Sequence, residues 1–99
     1  MNNAGTTRQP LTAELQALDS AHFIHPFTDH QGLAQKGARI ITRADDIYIW
    51  DSEGEKILDA MSGLWCVNAG HNRKPIVEAV QRQAATMDYA PPFSMAHPI

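Results

Sequence analysis

The sequence is poor in cysteine, in basic clusters, in long apolar runs and in the heavier aliphatic side chains. A single thiol, Cys66, cannot close an internal disulfide, which excludes a stapled secreted scaffold and fits a reducing compartment. Eight Lys and Arg stand against eleven Asp and Glu, a net charge of −3 with His neutral, and the basic residues are scattered. That leaves no electrostatic footprint for nucleic acid and no polybasic patch for a membrane surface. No stretch approaches the ~18 apolar residues of a membrane span, and the polar first ten residues lack the apolar stretch of a secretory signal, so a soluble, cytoplasmic protein is expected. Leu, Ile, Val and Phe number 20 of 99 residues, near the ~20% below which disorder becomes a concern, while Ala supplies 14 of the 43 apolar residues. A core built from this chain alone is expected to be thin.

What is present is ordered. After a polar arm through Gln9, Leu11, Leu15 and Leu18 recur at helical offsets and predict a helix to about His22, before Pro26. So narrow a stripe needs something larger to dock on. Thr28 to Gly37 reads as a connector of mixed polarity. Three runs rich in β-branched and aromatic residues follow, Arg39 to Arg43, Ile47 to Asp51 and Lys56 to Ala60, separated by Ala44-Asp45-Asp46 and Ser52-Glu53-Gly54-Glu55. They predict a three-stranded antiparallel meander whose middle strand, apolar on both faces, is covered on both sides. Gly63 and Gly70 bracket a non-periodic stretch, expected to be a loop or irregular strand close to other backbone or a ligand. Pro75 suits the first turn of a second helix that would bury Ile76, Val77, Val80, Ala84 and Met87. Tyr89 to Ile99, with Pro91-Pro92 and His97-Pro98, shows no period and reads as a connector.

Chemistry-bearing patterns are few. His22 and His25 can share a helix face, but no Glu or Cys lies at a usual ligand offset, and structural or solvated roles are favoured over a metal site. Cys66 and His71 could suggest a nucleophile and base; without an orienting third group, a buried, inert thiol is the better reading. Glycine fingerprints for phosphate are absent. Trp65 either lines a pocket or fills space between meander and helix. Phe27 and the Tyr89 to Phe93 stretch share that ambiguity: three loops that converge on one site, or three separate plugs.

The ordered series His25-Pro26-Phe27-Thr28, Gly37-Ala38-Arg39, Trp50 to Gly54, Ile57-Leu58-Asp59-Ala60-Met61-Ser62-Gly63-Leu64-Trp65-Cys66-Val67-Asn68, Gly70-His71 and Ala79 to Gln83 resembles the N-terminal portion of class III aminotransferases, from about Leu15 to the last residue. Within them it is most similar to the omega-amino acid:pyruvate, diamine and amine transaminases. The resemblance implies an α+β segment (helix, antiparallel meander, helix) of a fold type I enzyme that is α/β as a whole. It divides the chain into an arm and helix over 1–37, a small-domain meander and helix over 38–88, and, over 89–99, the start of a connector to a large domain. It further implies pyridoxal 5'-phosphate as cofactor, an amine donor and a keto-acid acceptor such as pyruvate, and a homodimer. Trp65, Leu64, Phe27, Tyr89 and Phe93 would bind substrate along an apolar wall.

The family's cofactor-bearing lysine, the aspartate facing the pyridine nitrogen and the phosphate-binding turn all come later than the region matched. No catalytic, cofactor-binding or metal-binding residue is therefore assigned here, and Lys36, Lys56 and Lys74 match none of these roles. The segment alone is expected to be inactive. His71-Asn72 and Ala90-Pro91-Pro92 depart from the more aromatic pattern of the amine transaminases and leave the donor open. Competing readings are another class III enzyme (an aminomutase, decarboxylase or racemase) or a small non-enzymatic interaction module.

Overall fold

The computed structural model describes residues 11–99, so the polar arm expected through Gln9 lies outside the described residues. Helix α1 spans Thr12–His22. Leu11 offers no capping oxygen; the Glu14 carboxylate instead accepts the Leu11 N–H at 3.1 Å, satisfying one orphan donor of the first turn. The stretch read as a connector contains a second helix, α2 (His30–Lys36). Asp29 caps it by accepting the Gln31 N–H at 3.1 Å, and Gly37, at φ +79°, ends it. These flanks, rather than apolar periodicity, specify so short a helix.

Strands β1 (Ile41–Asp45), β2 (Tyr48–Asp51) and β3 (Lys56–Leu58) form the expected antiparallel meander in the order β1-β2-β3. The first strand starts and ends two residues later than the sequence pattern indicates. Asp45 pairs with Tyr48, so Asp46 and Ile47 make a two-residue turn, with Asp46 at φ +50°. Ile47 is thus an exposed turn residue and not a strand neighbour of Ile49.

The middle strand is half-buried, not covered by layers on both sides. Trp50 pairs with Arg43 on one flank and Lys56 on the other. The Arg43 guanidinium lies 3.6 Å from the Trp50 ring centre and Lys56 Nζ lies 3.9 Å from that of Tyr48. Cation–π contacts of about 0.5–1 kcal/mol each at exposed sites, together with the aliphatic stems, cover this face.

Ala38 and Asp51, each 8% exposed, are the most enclosed of the described residues. Asp51 Oδ1 accepts the N–H groups of Glu53 at 3.0 Å and Glu55 at 2.9 Å, which shapes the β2–β3 turn around Gly54. Polar ties fasten α1 to the meander: Thr12 Oγ1 meets Ser52 Oγ at 2.7 Å and Gln16 Nε2 donates to the Ala38 carbonyl at 2.9 Å. The leucine stripe takes little part, Leu11 and Leu18 being exposed.

A single turn, α3 (Ser62–Trp65), follows the sheet, and the last helix, α4 (Lys74–Thr86), has Pro75 in its first turn as expected. Its stripe is not buried: Val80 is 62% exposed and no residue of α4 is enclosed. No described helix packs broadly on the sheet or on another helix. The accessible surface is 8842 Å², against about 5,600 Å² for a compact monomer of this mass. The Cα radius of gyration is 18.4 Å, against about 13 Å for a compact domain of 100 residues.

Candidate functional site

Between β3 and α4 the chain makes a single left-handed turn, α3 (Ser62–Trp65). Ser62, Gly63, Leu64 and Trp65 have φ of +51°, +56°, +56° and +69°. Three of the four are not glycine, and each such residue costs roughly 1–3 kcal/mol, so the turn persists only where its surroundings over-determine it. Its backbone hydrogen bonds run from the Ser62 N–H to the Asp59 carbonyl at 3.4 Å, from the Trp65 N–H to the Met61 carbonyl at 3.2 Å, and from the Cys66 and Val67 N–H groups to the Ser62 carbonyl, the latter at 3.0 Å. A Cβ at Gly63 would meet Val67 Cγ2 at 3.4 Å, ordinary contact, so conformation rather than space asks for glycine there.

The external support comes from Asp59 and His71. Asp59 Oδ2 accepts the Gly63 N–H at 3.0 Å and the His71 Nε2–H at 2.7 Å. The two side chains are 10% and 17% exposed. Each is also pinned through its backbone to the β1–β2 turn. The Asp59 N–H donates to the Ile47 carbonyl at 2.9 Å, and His71 exchanges hydrogen bonds of 2.7 and 3.1 Å with Asp46. Asp46 in turn pairs with Arg73 at 2.8 Å. The hydrogen bond from His71 is the main influence that holds the Asp59 carboxyl below the usual carboxylate range. Burial opposes it; the Gly63 and Met61 N–H groups reinforce it. Sequence reasoning missed Asp59 and weighed His71 only with Cys66.

The Cys66 thiol, expected to be buried, is exposed; its Sγ–H faces the Leu64 carbonyl at 3.7 Å, while His71 is engaged by Asp59. His25, considered with His22 for metal, pairs with Asp19 at 2.8 Å and meets Phe23 edge to face. Together with Ile24 and Leu33 of α2's face, Phe23, His25 and His30 line a groove of about 510 Å³ between α1 and α2.

Leu64 and Trp65 share α3, with Trp65 81% exposed. Phe27 stands fully exposed between α1 and α2 at φ +49°. Tyr89 and Phe93 follow α4, both exposed. Tyr89 lines a cavity of about 390 Å³ with Gln83, Met87, Pro92, His97 and Ile99, and neither Trp65 nor Phe27 is among its walls. The turn therefore brings Leu64 and Trp65 together, and the other three aromatic positions sit on separate segments. Lys36, Lys56 and Lys74 are exposed; Lys56 lies over Tyr48 and Lys74 pairs with Glu78 at 3.7 Å. A lysine that carries a carbonyl cofactor needs a desolvated pocket, which none of the three has. No described helix is long and apolar enough to cross a membrane.

Known proteins with related sequence and structure point in one direction. The family model for class-III aminotransferases matches residues 32–97. The putrescine–pyruvate aminotransferase of Pseudomonas aeruginosa is 56% identical over 88 residues, covering 88% of this chain and 19% of that protein. The crystal structure of an (S)-enantioselective omega-transaminase from Thermomicrobium roseum superposes with a TM-score of 0.84 at 37% identity, over 92% of this chain and 21% of that one. An omega-transaminase from Pseudomonas jessenii in complex with PMP superposes with a TM-score of 0.78 at 30% identity, over 84% of this chain and 18% of that one. The chain spans about a fifth of the length of the curated relatives it matches.

Proposed function

Because the chain belongs to the class-III aminotransferases, as an N-terminal segment of their omega-transaminase branch, we propose that it serves a pyridoxal-phosphate enzyme moving an amino group from a diamine, omega-amino acid or primary amine to a keto acid such as pyruvate. The observation that carries this reading is the 56% identity to a putrescine–pyruvate aminotransferase across nearly nine-tenths of the chain. Pyruvate-coupled names recur among the relatives, which favours transamination over aminomutase or decarboxylase chemistry. The parent enzyme is a fold type I homodimer of the cytoplasm. Residues 1–37 form its arm and first helices, 38–88 part of its small domain, and 89–99 lead to its large domain.

The described residues do not fit the cofactor by themselves. All three lysines are exposed, so the lysine, the acidic partner of the ring and the phosphate cradle belong to the part of the enzyme outside this segment. No chemical step is derived through the cofactor from these residues. Their contribution is shape. Trp65 and Leu64, with Phe27, Tyr89 and Phe93 from other loops, wall the donor pocket once the large domain and a second subunit close around them. Large rigid rings select an amine by excluding substituents that do not fit, with little side-chain entropy to lose.

The test is spectroscopic. A full-length protein carrying this segment should bind pyridoxal phosphate with a yellow absorbance that bleaches on adding a diamine and returns on adding pyruvate. Trp65→Ala should change the ratio of kcat/KM between a bulky and a small amine by about tenfold, the scale on which a reshaped apolar pocket discriminates. A full-length protein with no amine-dependent bleaching would overturn the reading.

A further inference from the structure

We propose that Asp59 and His71 are a positioning pair that holds the Ser62–Trp65 turn in its left-handed form and so sets where Leu64 and Trp65 meet the amine donor. This rests on the transaminase reading for the donor and on the geometry alone for the positioning.

Three facts converge on it. The turn is costly by itself, with three non-glycine residues at positive φ. Its internal hydrogen bonds do not reach the sheet. The one side-chain link from the turn's backbone toward the sheet is the Gly63 N–H to Asp59 Oδ2 at 3.0 Å, and the same oxygen takes the His71 Nε2–H at 2.7 Å. Both residues are fixed through their backbones to the Asp46–Ile47 turn, at opposite ends of the loop that carries α3. The pair therefore closes an excursion of eleven residues at its base and braces it at Gly63, Asp59 and His71 lying twelve positions apart. A small cavity of about 50 Å³, walled by Asp46, Ile47, Asp59, Ser62, Val67 and His71, lies under the turn. With the pair removed, the Gly63 N–H loses its partner, and the turn is left with its backbone bonds alone, the Ser62 N–H to the Asp59 carbonyl at 3.4 Å and the Trp65 N–H to the Met61 carbonyl at 3.2 Å, to hold Leu64 and Trp65 in the left-handed region. A shift of about 1 Å in a substrate-positioning group can cost about a hundredfold in rate.

The experiment uses the full-length holoenzyme labelled with 5-fluorotryptophan, the Trp65 resonance being identified by its loss in Trp65→Phe. Asp59→Ala and His71→Phe should shift and broaden that resonance and change the kcat/KM ratio between a benzylic amine and a diamine by about tenfold. His71→Gln, which restores an N–H donor at similar reach, should bring both back toward wild type. Asp59→Asn, which keeps an acceptor for Gly63, should lie between. If Asp59→Ala or His71→Phe fails to fold, Asp59→Asn decides by the same readouts. A Trp65 resonance and donor ratio that stay at wild-type values in Asp59→Ala and His71→Phe or, in their place, in Asp59→Asn, or a loss in His71→Phe that His71→Gln does not relieve, overturns the proposal. A wild-type protein that never bleaches with amines overturns the transaminase reading instead, and the fluorine spectra still decide the positioning pair.

Discussion

Asp59 is held ionised well into acid because its charge accepts hydrogen bonds that exist only in the folded chain. Since its folded pKa lies below the unfolded value of about 3.9, the stabilisation it supplies is complete above that value and is lost as pH falls through the lower folded one. The charged and titratable groups around it are the His71 imidazole and, beyond that residue's backbone, the Asp46 carboxylate. The fluorine signal of Trp65 should thus show a step below about pH 4 that Asp59→Asn lacks. The same acid step retained in Asp59→Asn would place control of the turn elsewhere. Little of this was legible beforehand. Asp59 and His71 both stand in the stretch that carries the family resemblance, yet they meet because each is bonded through its backbone to the Asp46–Ile47 turn, and the turn they brace has Ser62, Leu64 and Trp65 at backbone angles that their side chains disfavour. Cys66 was expected to be buried because free thiols usually are, and its exposure in this segment leaves no mark in apolar periodicity.

At the scale of elements, the sequence pattern was most informative where side-chain period and turn chemistry agree. The meander and its antiparallel order follow from β-branched and aromatic runs broken by acidic and glycine-containing turns, and Pro75 marks the start of α4. The two-residue slip of β1 arises because Ala44 and Asp45, poor strand formers, are recruited by pairing with Ile49 and Tyr48. Helix α2 was missed because seven residues from His30 to Lys36 carry one strong apolar side chain, Leu33, and their ends are set by Asp29 and Gly37. Helix α4 makes a sharper point. Its stripe has the right spacing but no described neighbour, and in the longer enzyme proposed above it is the face left for the remaining chain to cover. Val80→Glu should lower the urea stability of the full-length protein by about 2 kcal/mol or more, as for a charge placed in a buried contact, yet leave the helicity of the isolated segment unchanged. Equal effects in both would mean that α4 faces solvent throughout.

The whole molecule has a surface too large for its mass. An excess of roughly 3,000 Å² over a compact monomer is of the size buried by extensive, permanent interfaces. The isolated 99-residue chain should bind a hydrophobic dye, self-associate in sedimentation and unfold without a sharp transition. A cooperatively unfolding monomer would favour the small interaction module instead. The meander differs from the helices around it in one respect that matters during synthesis. Its strands are neighbours in sequence and can pair within about 1–10 μs, whereas the faces of α1 and α4 wait for partners made later. In the longer enzyme proposed here, the remaining four-fifths of the chain takes on the order of tens of seconds to emerge from the ribosome. Through that interval the nascent segment would offer a sheet flanked by unpartnered apolar stripes, the kind of transiently exposed surface that is prone to aggregate.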